Sequence, residues 1–144
     1  MTGHYEQKRG YMVARNIDLL LGVTYQHVSR FKSIGISNTL DLLDAADTAQ
    51  AKRSLARSLS ITSRQMTRWV YSANLLRIRG LSTHYANLLI EVGVCTTDDL
   101  IQAEIKPLIA KMQELNSRKR FVKRLPAHSQ IQQWQLDAHA LAPV

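Results

Sequence analysis

Arg118-Lys119-Arg120-Phe121-Val122-Lys123-Arg124 places five cations in seven residues, with one aromatic ring among them. Such a density either binds polyanions or decorates a solvated loop, and composition alone does not choose between the two. The excess charge of the chain gathers there: residues 104–124 hold seven Lys and Arg against two Glu, within a formal net charge of +8. A second cationic group, Arg77 and Arg79, precedes Gly80, and Ser82 and Thr83 follow at the start of a helical pattern. A glycine turn that leads into a helix suits an anion, because the backbone can come close and free amides point outward with the helix dipole behind them. The candidate phosphate-contacting residues are therefore Arg77, Arg79, Gly80, Ser82, Thr83, Arg118, Lys119, Arg120, Lys123 and Arg124. Arg77 and Arg79 lie two apart on a helix end and point differently, so at most one of them addresses a ligand directly.

Other chemistry finds little support. The chain has no nucleophile elbow, no Gly-rich phosphate loop ending in Lys-Ser/Thr and no His-Glu metal motif. Asp41, Asp44 and Asp47 imitate an acidic metal cluster, yet Asp41 is better explained as a first-turn residue that favours the helix dipole, repeated at Asp99. His27, His84, His128 and His139 lie at scattered spacings without a cysteine pair, and the single Cys95 reads as a small buried residue. The expectation is a binding protein without metal or cofactor, not an enzyme.

The elements that would position these residues are helical. Thr62 with Gln65 reads as a capping box, Ile61 can staple onto Met66, and Met66, Trp69, Val70, Ala73 and Leu76 recur at helical spacing, which predicts a helix over 62–78. Ser82 caps a short helix with Tyr85, Leu88, Leu89 and Val92 facing inward, and Gly93 ends it in the left-handed conformation. Thr97 opens the next helix. Earlier in the chain Thr24 is the cap, Val28, Phe31 and Ile34 the core, Gly35 the stop and Thr39 the next cap. Connector helices are expected across 48–59, opened by Asp47 with Gln50, and after Pro107, with Leu108, Met112 and Leu115 on one face. No segment alternates as a strand does.

These signals repeat. A shift of 58 lays GVTYQHVSRFKSIGISNTLDLLDA (22–45) over GLSTHYANLLIEVGVCTTDDLIQA (80–103), matching Gly22 with Gly80, Gly35 with Gly93 and Asp41 with Asp99. With seven residues inserted, SRQMTRWVYSANLL (63–76) overlays HSQIQQWQLDAHAL (128–141), so that Trp69 falls on Trp134. The reading is an all-α fold of two pseudo-equivalent units in one compact domain, with an N-terminal extension carrying a helix at 1–21 and units at 22–79 and 80–144.

IRGLSTHYANLLIEVGVCTTDDLIQA resembles a helix-hairpin-helix unit along its whole length. From about Gly22 to Leu141 the chain is similar to an uncharacterised bacterial family of tandem helix-hairpin-helix-like domains, a domain of unknown function. That resemblance implies the fold, and in nucleic-acid-binding relatives such hairpins grip phosphates without reading bases. Here the second glycine of each hairpin is replaced, by Thr24 and by Ser82, and the first hairpin is preceded by Leu19, Leu20 and Leu21 in place of cations. Only the second hairpin looks able to hold an anion. The expected function is non-sequence-specific binding of nucleic acid, duplex DNA first. The alternative is a protein-interaction or assembly adaptor that meets an acidic protein surface, with Tyr5, Tyr11 and Met12 as an attachment arm. No apolar run approaches a membrane span and the N-terminus lacks a secretory pattern, so no membrane insertion and a cytoplasmic location are expected.

Overall fold

A computed structural model describes residues 13–141. Among them the protein is all-helical. A 3-10 turn at Ile17–Leu19 precedes eight α-helices: α1 (Tyr25–Ser33), α2 (Thr39–Ala45), α3 (Ala49–Ser58), α4 (Ser63–Leu75), α5 (Thr83–Glu91), α6 (Thr97–Gln102), α7 (Ile105–Arg118) and α8 (His128–Ala140). The sole β-type pairing among the described residues is the isolated bridge between Asn16 and Asn38. α5 and α6 begin 58 residues after α1 and α2, and α8 begins 65 after α4, the offsets at which the sequence segments align. α4 packs against α2, α3 and α5, while α8 packs against α6 and α7.

Local chemistry accounts for most helix ends. Thr24, Thr62 and Ser82 cap α1, α4 and α5 as expected, each accepting a backbone N–H three residues on. α2 is capped by Asn38 and α6 by Thr96, one residue before the expected Thr39 and Thr97. Asp41 and Asp99 explain the displacement: as third residues of their helices they accept from the Asn38 and Thr96 amides at 3.3 and 3.1 Å, closing capping boxes around the earlier residue. Thr39 is instead buried, its hydroxyl accepting from Arg15 N at 3.1 Å. α3 starts from Thr48 in place of Asp47. Gly35 and Gly93 end α1 and α5 at φ +86° and +95°, with Ile36 N reaching Phe31 O at 2.9 Å and Val94 N reaching Leu89 O at 2.8 Å. This is the Schellman arrangement, and α3 ends in it too, with Ser60 at φ +56° in the position that glycine usually takes.

The core forms around two tryptophans. Trp69 on α4 and Trp134 on α8 are both buried. The third residue of α1, His27, meets the Trp69 ring edge-on at 5.1 Å, and the third residue of α5, Tyr85, lies tilted against Trp134 at 5.4 Å. His27 Nδ1 also accepts from Thr24 N at 3.0 Å, so one imidazole caps its helix and packs on the core. Ile34, expected in the core, is 50% exposed: it is the C-cap of α1, where the chain has already left the buried face. The 13–20 segment is part of the body rather than an appendage, with Ile17 and Leu20 buried. Tyr5, Tyr11 and Met12 lie outside the described residues.

Candidate nucleic-acid interface

The two glycine turns share a backbone and differ in surroundings. Val23 N donates to Leu20 O and Leu81 N to Ile78 O, both at 3.2 Å, and Gly22 and Gly80 at the third turn position have φ +88° and +85°. A glycine is required there in each case. The first turn is held from α4: Trp69 Nε1 donates to Leu21 O at 2.8 Å, and a Cβ at Gly22 would lie 3.8 Å from Trp69 Nε1 and from the Gln65 side chain. A Cβ at Gly80 would meet nothing within 4 Å. The second turn is held instead from the N-terminal segment, where the Arg15 guanidinium donates to Ile78 O at 3.4 Å and Leu81 O at 3.3 Å. Burial, then the nearby Arg79 charge, lowers the affinity of Arg15 for its proton.

The expected cations at this turn separate. Arg79 and Gly80 are exposed, whereas Arg77 is fully buried, with Nε donating to Asn74 Oδ1 at 2.9 Å. The expectation that Arg77 contacts phosphate is therefore corrected: its guanidinium serves the interior. Ser82 is exposed and Thr83 half-buried. The Ser82 hydroxyl takes Tyr85 N at 3.3 Å, and the amides of Thr83 and His84 at the first turn of α5 have no hydrogen-bond partner among the described residues.

The basic run forms a built loop after α7. Asn116 Oδ1 accepts from Phe121 N at 2.8 Å and Val122 N at 3.0 Å, while its amide donates to Val122 O at 3.1 Å. Val122 is buried beneath this clasp, and Phe121 is half-buried. The cations thus radiate from a fixed backbone. Arg118 pairs with Glu114 on α7, and the Lys119 ammonium stands 5.5 Å from the Phe121 ring centroid. Arg120, Lys123 and Arg124 are exposed and make no ion pair among the described residues.

The start of α5 and the loop meet across one groove of about 730 Å³, lined by Ser82, His84, Tyr85, Arg120, Phe121, Val122, Lys123 and Arg124. The Tyr85 hydroxyl donates to Arg124 O at 3.0 Å and ties the loop to α5. Three cations and no carboxylate line the groove, so it favours anions. The other two clefts described carry Asp47 and Asp98, or Asp99 and Glu104. Of the sequence candidates, Ser82, Arg120, Lys123 and Arg124 come together here. Arg79, Gly80 and Thr83 adjoin Ser82 in the chain, and Arg118 and Lys119 are drawn to Glu114 and Phe121. Sequence reasoning missed Asn116, Arg15 and His84, and took Tyr85 for core alone. An Asn shortly before a cationic run was the one local signal for the clasp; Arg15 gave none, since its acceptors lie more than 60 residues on.

The chain belongs to the family described as Domain of unknown function (DUF4332). Residues 21–141 match it, which takes in Gly22 and Gly80, the basic loop and both tryptophans. No curated protein and no solved structure matches the chain. Among the described residues no helix is long and apolar enough to cross a membrane, and no group of three or more His, Cys, Asp or Glu could hold a metal ion.

Proposed function

We propose that this member of the DUF4332 family binds nucleic acid without reading its sequence, using a helix-hairpin-helix-like turn at Ile78–Leu81 together with the 118–124 loop. One observation carries the reading: Ser82, at the start of the helix after the turn, and Arg120, Lys123 and Arg124 of the loop surround one carboxylate-free groove. Open amides at the start of α5 and exposed guanidinium groups are both donors to phosphate oxygens. Such contacts hold the backbone of the polymer and carry no base information. The first turn serves as scaffold, its Leu21 carbonyl occupied by Trp69 and its neighbours apolar. DNA in the cytoplasm is the substrate we favour. Titration of random-sequence DNA, duplex and single-stranded, at two salt concentrations tests the reading. Affinity should fall with salt in proportion to the phosphates engaged, with a log–log slope of about −0.9 per phosphate on duplex and −0.7 on single strands. Absence of binding to either form at low salt defeats it.

A second reading, a protein-interaction adaptor, draws support from the first turn. Leu19 and Leu21 are 44% and 40% exposed and Tyr25 is 88% exposed, an apolar group that suits a protein partner rather than phosphate. The two readings use different ends of the duplicated pattern. Charge reversal in the loop together with polar substitution at Leu21 and Tyr25 separates them, since each should abolish one kind of binding and spare the other.

A further inference from the structure

The groove between α5 and the basic loop is lined by aromatic and apolar residues as well as by cations: Tyr85, Phe121 and Val122 share it with Arg120, Lys123 and Arg124. A site that only clamps the outside of a duplex gains nothing from aromatic residues, because in a duplex the faces of the bases are covered by their neighbours and phosphate alone is offered. An unpaired nucleotide presents both an anion and a bare planar face, and cations interleaved with aromatic rings fit that combination.

We infer that this groove takes an unpaired nucleotide of a single strand, its base against Tyr85 and Phe121 and its flanking phosphates on Arg120, Lys123 and Arg124. The inference rests on the nucleic-acid reading above. The Tyr85 ring and the Phe121 backbone are fixed before any ligand arrives. Tyr85 is backed by Trp134 at 5.4 Å and anchored by its hydroxyl to Arg124 O, and Phe121 is held through its amide by Asn116. Lys119 covers the Phe121 ring at 5.5 Å and strengthens its cationic surroundings. Little ordering of the Tyr85 side chain then opposes binding. The rings contact a base through its π-face, which every base has, so the site is tolerant of sequence.

Three nucleic-acid probes of about twelve nucleotides, within the usual span of a single-strand site, and poly-glutamate as a fourth decide the matter with the full chain at low salt, the nucleic acids being oligodeoxythymidine, an abasic strand of the same length and a random duplex. Oligodeoxythymidine should bind about tenfold more tightly than the abasic strand, the size of one base–aromatic stack. Phe121→Leu, which keeps an apolar side chain at that position, should erase most of that advantage, read as the ratio of the two affinities. Equal affinity for the abasic strand and oligodeoxythymidine, a duplex bound as tightly as oligodeoxythymidine, or an unchanged ratio in Phe121→Leu would each overturn the inference while leaving phosphate binding intact. Poly-glutamate bound as tightly as oligodeoxythymidine would overturn it in favour of an acidic protein partner. Failure of all three nucleic acids to bind would instead remove the nucleic-acid reading on which it rests.

Discussion

The turns at Leu20–Val23 and Ile78–Leu81 have the same hydrogen bond and nearly the same glycine φ, yet they are held by different neighbours. Trp69 Nε1 occupies the Leu21 carbonyl, and Gln65 and Trp69 lie over Gly22. At the second turn the carbonyls are met from the N-terminal side by Arg15, and the surface above Gly80 is empty. A shared backbone geometry therefore does not fix a shared use. What differs is which neighbour satisfies the turn carbonyls, α4 through Trp69 at the first turn and the N-terminal segment through Arg15 at the second, and which residues follow, since only Ser82 after the second turn lines the cationic groove.

If Trp69 is the keystone of the first turn, Trp69→Ala should cost about 3–5 kcal/mol of folding stability by denaturant titration. Trp69→Phe should cost about 1 kcal/mol more than Trp134→Phe, because it also leaves the Leu21 carbonyl without its donor. Equal losses in the two phenylalanine variants would place the tryptophans on the same footing.

In the second half, combined Lys119→Glu, Arg120→Glu and Lys123→Glu should leave the melt close to wild type, since all three side chains are exposed. Nucleic-acid affinity should drop across all sequences, with the salt slope shrinking by about 0.9 for each duplex phosphate that the variant no longer engages. A variant that keeps its slope would remove the loop from the interface.

Arg79→Ala should lower affinity by about 1 kcal/mol, the scale of one charge-assisted hydrogen bond. Leu21 occupies the matching position, and introducing a cation there by Leu21→Arg should add no affinity, because the basic loop is tied to α5 after the second turn and not to α1 after the first. A gain from Leu21→Arg would show the first turn to be as competent as the second. Leu21→Ala should change stability by less than about 1 kcal/mol, given that the side chain is 40% exposed.

The smallest effect concerns Cys95, which lies half-buried just before α6. Burial, then the Asp99 carboxylate, raises its pKa above the usual thiol value, so it stays protonated at neutral pH. Alkylation should be slower than for a free thiol at pH 8 and should approach it only as pH rises further, which a rate profile with iodoacetamide would measure.

Much of the architecture was legible because it depends on signals a few residues apart. Thr24, Thr62 and Ser82 announce helix starts through side-chain oxygens that reach three residues on, Gly35 and Gly93 announce helix ends because their backbone needs positive φ, and the tryptophans mark the inner faces by helical spacing. Each of these is decided by local sterics and hydrogen bonding, which sequence spacing encodes directly. Ser60 hides the same ending of α3, since its type does not advertise the left-handed backbone it adopts. Asn38 and Thr96 displaced the expected caps for a subtler reason: two capping residues stood side by side, and the third helical residue, Asp41 or Asp99, selected the earlier one.

The division of labour among the arginines was not legible, because it depends on partners far along the chain. Arg77 and Arg79 read alike, two cations beside a glycine, until packing buries the first against Asn74 and exposes the second. Arg15 acquires its place only when the N-terminal segment lies across the turn 63 residues later. The groove is the same kind of object. Ser82 and Arg124 are 42 positions apart, and no propensity or period links them; they share a surface because α7 and α8 carry the loop back to α5, where Tyr85 and Arg124 join. Local composition set the charge and the helices, and the meeting of distant elements set where that charge could act.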